Sequence, residues 1–296
     1  MRVAISGASG LIGTALSEAI QSRGWEAIPM VRSKDQDGIY WSASKMEIDA
    51  QALETIDAVV HLAGENLTTK RWTESQKEKI LRSRTDGTAL IAGALAELSS
   101  PPKVFLSASA VGYYGGQGDK VLTEDDPAGT GFLAEVCERW EAAAGKARAA
   151  SIRVVHPRIG IVLSKEGGAL KKMLLPFKLG IGGNLGDGSQ YFSWVGLDDV
   201  VRALIFLIDH PELSGPFNLT APEPVSNKEF TRALGKALGR PTFLPVPSFG
   251  LKMMMGSELA EEALLQGQRA LPRALLDAGF EFQAPTIDEA LKRELS

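Results

Sequence analysis

The feature that most constrains this chain is a glycine-rich turn between an apolar strand and a helix. Residues 7–13 read Gly-Ala-Ser-Gly-Leu-Ile-Gly, a G-x-x-G-x-x-G pattern. They follow the apolar run 2–6 and lead into a predicted helix over residues 11–23, where apolar residues recur at helical spacing. In this context the first glycine permits a tight turn, the second lets the backbone approach a pyrophosphate, and the third lets the helix pack close to the strand. The pattern predicts dinucleotide binding; a glycine turn without a ligand is the simpler alternative.

The end of the second predicted strand, residues 26–31, indicates which dinucleotide the chain binds. An NAD-binding chain usually places an acidic residue about 20 positions after the glycines, where it holds the ribose 2′-OH. Here the position is Arg32, followed by Ser33 and Lys34, and the first acid is Asp35. A guanidinium and a hydroxyl suit a 2′-phosphate, so the sequence favours NADP (NADPH) over NAD. The alternative is a solvated basic residue at a strand end.

Strands and helices alternate along the first half of the chain, which predicts an α/β fold with a doubly wound parallel sheet. Further strands are expected at 57–62, 103–107 and 151–156, and helices at 73–98 and 132–150. Helical segments follow at 226–239 and near 251–267. We expect a nucleotide-binding domain of residues 1–165 that also receives about 190–220. Residues 166–190 and 221–296 are expected to form a smaller, interleaved C-terminal α/β lobe.

Composition excludes several classes of protein. The 296 residues are 44% hydrophobic and 23% charged, as in ordinary globular chains. A net charge of -4 argues against a broad basic surface for nucleic acid or membrane, although a local basic patch stays possible. The single cysteine, Cys137, and three histidines predict neither an internal disulfide nor a metal site. We expect a cytoplasmic monomer or homodimer whose partner is a small-molecule substrate, without nucleic acid or membrane.

The chain resembles the extended short-chain dehydrogenase/reductase superfamily of nucleotide-sugar epimerases and dehydratases. The resemblance rests on four short stretches of sequence, namely Gly7–Gly13, His61–Gly64, Ser107–Ala110 with Tyr113–Gly115, and Trp194 with Asp198–Val200. It is closest to the poorly characterised "epimerase family" branch, which carries Gly-Glu after the His-Leu-Ala run, here Gly64-Glu65, and then Lys70-Arg71-Trp72. It spans nearly the whole chain and implies a Rossmann-like fold with a dinucleotide cofactor.

The resemblance implies roles for individual residues. Cofactor-binding residues would be Gly7, Ser9, Gly10, Leu11, Ile12, Gly13, Arg32, Ser33, Leu62, Ala63, Gly64, Glu65, Ser107, Pro157 and Arg158. Residues on the substrate side would be Arg71, Trp72, Arg84 and Trp194. Ser109 would orient the reacting oxygen, and Tyr113 is a candidate proton donor.

One departure from the superfamily concerns proton transfer. Its members usually carry a Tyr-x-x-x-Lys pair on a helix, and the Lys lowers the Tyr pKa so that the phenol exchanges a proton near neutral pH. The corresponding helix here begins near Phe132 and contains no tyrosine. Either Phe132 with Val136 or Leu133 with Cys137 occupies the two positions, and neither pair can replace Tyr and Lys.

Three functions therefore remain open. The first is an NADP-dependent oxidoreductase or epimerase that transfers hydride to or from a small polar or nucleotide-sugar-like substrate. The second is a non-catalytic protein that holds NADP as a regulatory or redox-sensing ligand. The third is an acid/base enzyme for which a bound dinucleotide is only structural.

Overall fold

A computed structural model describes all 296 residues of the chain. The strands are β1 Arg2–Ser6, β2 Glu26–Val31, β3 Ile39–Ser42, β4 Glu47–Ile48, β5 Ala58–His61, β6 Val104–Ser107, β7 Ser109–Ala110, β8 Val121–Leu122, β9 Arg153–Ile159, β10 Ile161–Ser164, β11 Tyr191–Phe192, β12 Trp194–Gly196, β13 Gly215–Leu219, β14 Val225–Ser226 and β15 Arg269–Ala270.

The α-helices are α1 Leu11–Ser22, α2 Ala50–Leu53, α3 Glu74–Ala96, α4 Phe132–Ala143, α5 Gly145–Ala149, α6 Gly168–Lys178, α7 Leu197–Asp209, α8 Asn227–Leu238, α9 Ser248–Met255, α10 Ser257–Ala260, α11 Arg273–Asp277 and α12 Ile287–Leu295. A 3₁₀ helix covers Val111–Tyr114 and a π-helix covers Glu261–Leu265. No helix combines the length and the apolar character that crossing a membrane requires.

The main sheet has the strand order β13-β9-β6-β5-β1-β2-β3-β4. Its neighbours pair in parallel, except that β4 runs antiparallel to β3, and β7 adds to the end of β9. The chain builds outward from β1 in both directions, so the strand order reverses between β1 and β5. In open α/β sheets, ligands bind at the carboxyl ends of the strands beside such a reversal. The predicted doubly wound α/β fold is confirmed.

Apolar side chains cover both faces of this sheet. One face packs against α1, α7 and α11, whose buried residues include Leu16, Leu204 and Leu275. The other packs against α3 and α5, with Ile91 and Ala147 in that core. A third cluster joins α6, α8 and α12. Strands that are buried on both faces explain why the sequence of β1, β5 and β6 is apolar without alternation.

Three predicted elements differ from the observed ones. The helix expected over 132–150 is divided at Ala144 into α4 and α5, and the strand expected over 151–156 runs instead from Arg153 to Ile159. The helix expected near 251–267 is interrupted at Gly256, whose φ of 94° belongs to no α-helix, and ends at Leu265 after the π-helix. Apolar periodicity predicted where these helices lie but not where they break.

Candidate active site

The glycine-rich turn forms at the carboxyl end of β1 and leads into α1. Gly7 has a φ of 72°, and a Cβ there would lie 3.0 Å from the Ala63 backbone nitrogen. A Cβ on Gly13 would overlap the Gly7 carbonyl oxygen, so only glycine lets α1 start this close to β1. No side chain caps the N-terminus of α1, and no acid lies in its first turn. The free N–H groups and positive dipole end therefore fit a pyrophosphate.

A buried serine–histidine pair holds this turn beside the end of β5. Ser6 Oγ lies 2.5 Å from His61 Nδ1 and accepts hydrogen bonds from the backbone N–H of Leu62 at 3.2 Å and of Ala63 at 3.4 Å. The Ser6 hydroxyl therefore joins the end of β1 to the end of β5, while His61 Nε2 is buried and has no hydrogen-bond partner. Burial, followed by the nearby Arg84 charge, lowers the pKa of His61 to about 3. His61 is thus a neutral structural group.

At the end of β2, Arg32 is an exposed cation whose guanidinium has no hydrogen-bond or ion-pair partner in the structure. The next cation, Lys34, pairs with Glu47 at 3.7 Å and lies over the Tyr40 ring. The Ser33 hydroxyl lies 3.4 Å from Asp35 Oδ2. Of the two cations at this strand end, Arg32 is therefore the one free to bind an anion.

Two buried hydroxyls lie at the carboxyl ends of the neighbouring strands. Ser107 ends β6 and Ser109 begins β7, and neither Oγ has a hydrogen-bond partner. Nearly all buried polar side chains in proteins are hydrogen-bonded, so an unpaired hydroxyl at this sheet edge fits a position that a ligand completes. The Cys137 thiol of α4 lies beside Ser109, and burial raises the pKa of Cys137 to about 11.

The packing of α4 shows which of its side chains face the carboxyl end of the sheet. A Cβ built on Gly112 would lie 3.4 Å from Leu133 Cβ and 3.9 Å from Cys137 Sγ. Leu133 and Cys137 therefore face the 3₁₀ helix that follows Ser109. Phe132 instead packs edge-on against Trp72, with ring centroids 5.0 Å apart. Leu133 has no titratable group and the thiol of Cys137 stays protonated near neutral pH, so neither side chain supplies a base there.

Two tyrosines and an arginine form a network behind Ser109. The Tyr114 hydroxyl donates to Asn218 Oδ1 at 2.8 Å and accepts from Arg158 Nη1 at 3.0 Å, and burial raises the pKa of Tyr114 to about 12. The guanidinium of Arg158 also pairs with Glu141 at 2.8 and 3.0 Å and lies over the Tyr113 ring, 3.5 Å from its centroid. The side chain of Arg158 is held in this network, so the cofactor contact predicted for Arg158 would have to involve its backbone. Tyr113 is half-buried and its hydroxyl makes no hydrogen bond.

The side chains predicted on the substrate side differ in their burial and in their hydrogen-bond partners. The prediction that Trp194 faces the substrate is wrong. Its side chain is fully buried in the cluster that joins α6, α8 and α12, and its Nε1 donates to the Glu223 carbonyl at 3.1 Å, which leaves it no surface for a substrate. Trp72 donates to the Leu67 carbonyl and keeps part of its ring exposed. Arg84 uses Nη1 for the Glu65 and Ile80 carbonyls at 3.1 Å, which leaves Nη2 and Nε without a protein partner.

The C-terminal segment closes over this edge of the sheet. Arg71 donates to the Met253 and Met254 carbonyls at the end of α9. The Glu262 carboxylate accepts the backbone N–H of Phe132 and of Leu133, both at 2.9 Å, and so caps α4. A cavity of about 460 Å³ lies between this segment and the start of α4, and its lining is entirely polar or glycine: Thr130, Gly131, Lys252, Ser257, Glu258, Glu261, Glu262 and Gln266. No sequence motif marked Glu262, because its partners are backbone groups 129 and 130 residues away.

Comparison with protein-family models gives two matches. Residues 3–219 match the model of the NAD dependent epimerase/dehydratase family. The chain belongs to that family. Residues 246–294 match a domain of unknown function, DUF1731, which covers the segment that closes over the site.

Individual relatives agree with this assignment. An epimerase family protein of Mycobacterium leprae is 46% identical over 291 residues, which cover 98% of this chain and 94% of the relative. The crystal structure of the human epimerase family protein SDR39U1 with NADPH superposes with a TM-score of 0.92 at 35% identity and covers 99% of each chain. A nucleoside-diphosphate sugar epimerase of Corynebacterium glutamicum superposes with a TM-score of 0.82 at 36% identity, over 100% of this chain and 58% of that one.

Proposed function

We propose that this protein is an NADP(H)-dependent enzyme of the oxidoreductase or epimerase type, acting on a small polar or nucleotide-sugar-like substrate. The observation that carries the proposal is the pairing of an uncapped helix behind a glycine turn with a free Arg32 at the end of β2. The turn suits the pyrophosphate, and a guanidinium suits a 2′-phosphate. The human relative that was crystallised with NADPH supports the same cofactor.

The chain's own residues would hold the cofactor and substrate along one edge of the sheet. The backbone of Leu62–Glu65 borders the turn, and the free side of Arg84 opens towards the same segment, since a Cβ on Gly64 would lie 3.1 Å from its guanidinium carbon. The bound cofactor supplies a hydride donor or acceptor. The unpaired hydroxyls of Ser107 and Ser109 would orient the carboxamide or the reacting oxygen, and Tyr113 would exchange the proton.

The first experiment measures NADPH and NADH binding by nicotinamide fluorescence in the wild type, Arg32→Ala and Lys34→Ala. We expect the wild type to prefer NADPH and Arg32→Ala to lose that preference, because one charge-assisted pair contributes about 1.5–3 kcal/mol. Lys34→Ala is the matched control, since Lys34 already pairs with Glu47. Equal binding of both cofactors by the wild type, or no binding of either, would contradict the proposal.

A second candidate, a non-catalytic NADP-binding regulatory protein, is favoured by one observation: Leu133 and Cys137 face Gly112 of the 3₁₀ helix that follows Ser109, on a helix where an acid/base pair is usual. A screen of carbonyl compounds and nucleotide sugars with NADPH separates the two functions. Turnover that is lost in Ser109→Ala and reduced in Tyr113→Phe supports the enzyme. Absence of turnover together with NADPH-dependent binding of a protein partner supports the regulator.

A further inference from the structure

The exposed apolar side chains of this protein are concentrated on one part of the smaller lobe. Twelve large apolar side chains are exposed, and eight of them belong to α6 with its following turn or to residues 243–254. The first group is Leu175, Leu179 and Ile181, exposed by 66%, 65% and 56%. The second group is Phe243, Leu244, Phe249, Met253 and Met254, exposed by 48–75%. We call these eight side chains the apolar patch.

The two groups form one surface because their backbones run side by side. The Val246 N–H donates to the Asn184 carbonyl at 2.7 Å, and the Gly186 N–H donates to the Val246 carbonyl at 2.9 Å. Helix α9 follows directly and buries Leu251 while it exposes Phe249 and Met253 on its outer face. A surface helix ordinarily turns polar side chains outward, whereas α9 carries apolar side chains on its outer face as well as on its buried face.

The segments that carry the patch have an excess of positive charge. Residues 166–187 and 229–258 contain seven lysines and arginines and four acids, Glu166, Asp187, Glu229 and Glu258, in a chain whose net charge is -4. Two of these cations, Lys236 and Lys252, pair with Asp288 and Glu261 from elsewhere in the chain. The others form no ion pair: Lys171, Lys172, Lys178, Arg232 and Arg240.

Against the expectation from the net charge that the protein has no membrane partner, we propose that the apolar patch docks it on the surface of an anionic lipid bilayer. Exposed Phe, Leu and Met side chains enter the boundary between headgroups and acyl chains, while lysines and arginines beside them meet the lipid phosphates. No helix of this chain crosses a membrane, so the contact is peripheral. A symmetric pair of copies joined at this patch would bring two surfaces of net positive charge face to face, which like-charge repulsion opposes.

The patch lies next to the candidate active site. Lys172 at its edge donates to Thr68 Oγ1 at 2.9 Å, and Arg71 binds the carbonyls of Met253 and Met254. The loop that joins Thr68 and Arg71 follows directly on the Leu62–Glu65 segment. Docking would thus bring the C-terminal segment that closes the site against the bilayer.

Co-sedimentation of the full chain with vesicles tests this proposal. The vesicles are phosphatidylcholine alone or phosphatidylcholine mixed with phosphatidylglycerol, each at low and high salt. We expect binding to the mixed vesicles that weakens with salt, and little binding to phosphatidylcholine. The double variant Phe249→Ser/Met253→Ser and the charge variant Lys178→Glu/Arg240→Glu should each weaken the partition by about tenfold or more.

Two matched controls lie outside the patch. Leu276→Ser removes an apolar side chain that is 44% exposed on α11, and Lys45→Glu reverses an exposed charge near β4. Both should sediment like the wild type, and unchanged NADPH binding by all variants shows that they fold. Equal binding to both vesicle types, or none, would overturn the proposal. Sedimentation velocity without lipid supplies a further contradiction: a dimer that dissociates in the Phe249→Ser/Met253→Ser variant would make the patch an interface between copies.

Discussion

The glycine-rich turn and the segment 248–266 that closes over the site are built in opposite ways. The turn is determined locally, because a Cβ on Gly13 would overlap the Gly7 carbonyl oxygen six residues earlier in the chain. The closing segment is determined by distant partners: Glu262 reaches the backbone of Phe132, and Met253 reaches Arg71. Local steric requirements leave a signature in the sequence, whereas a carboxylate that caps a distant helix does not.

The largest expected effect tests the local side of this comparison. Gly13→Ala places a methyl group on the Gly7 carbonyl and on Ala8 Cα, so either the turn or α1 must move. We expect the free energy of unfolding to fall by about 3 kcal/mol and NADPH affinity to fall more than tenfold. Urea unfolding and fluorescence titration measure the two quantities.

The matched control lies in the closing segment. A Cβ on Gly250 in α9 would meet only the Pro247 side chain at 3.7 Å, an ordinary contact. Gly250→Ala should therefore stabilise α9 by about 0.5–1 kcal/mol at most and leave NADPH affinity unchanged. If both glycines tolerate alanine equally, the turn is not sterically determined.

The next effect concerns pH and the Ser6–His61 pair that supports the turn. The folded-state pKa of His61 is lowered to about 3, against about 6.5 when the chain is unfolded. Between these values the unfolded chain binds a proton that the folded chain does not, so stability falls as the pH falls below 6.5. The contribution is about 1.4 kcal/mol per pH unit in that window.

His61→Asn removes this titration while keeping a side chain that can hydrogen-bond to Ser6. Its stability should decline less steeply than that of the wild type between pH 6.5 and pH 5. His156 has its pKa lowered in the same direction, to about 4, and is present in both proteins, so the difference between them isolates His61. Parallel stability–pH curves for the two proteins would contradict a buried, neutral His61.

The same contrast explains what could be predicted from the sequence. The fold and the dinucleotide-binding turn could be predicted, because apolar runs, helical spacing and the three glycines of the turn are visible in the sequence. The prediction for Trp194 was wrong: the resemblance to the superfamily placed it on the substrate side, whereas its side chain is buried and its Nε1 donates to the Glu223 carbonyl. Arg158 was assigned to the cofactor without knowledge of Glu141, which lies 17 residues away along the chain and 2.8 Å away in space.

A medium effect tests the long-range side of the comparison. Glu262→Ala removes a carboxylate that accepts hydrogen bonds from two backbone N–H groups at the start of α4. The same carboxylate lies at the positive end of the α4 dipole. We expect a loss of about 2 kcal/mol in the free energy of unfolding. The neighbouring Glu261→Ala is the control: its carboxylate pairs only with the 40% exposed Lys252, so its loss should cost about 0.5 kcal/mol or less. Equal losses for the two glutamates would show that Glu262 is not a cap.

The smallest expected effect is local and concerns Arg71. Its guanidinium binds the last carbonyls of α9, and the contact is exposed, so Arg71→Ala should change global stability by less than about 0.5 kcal/mol. Hydrogen exchange should nevertheless speed up several-fold at the amides of residues 251–256, because opening of α9 alone becomes easier. Arg82→Ala, which breaks an exposed pair with Glu78 on α3, should leave those amides unchanged. If exchange accelerates in both variants, the α9 amides exchange through unfolding of the whole protein. The closing segment would then not open independently of the glycine-rich turn.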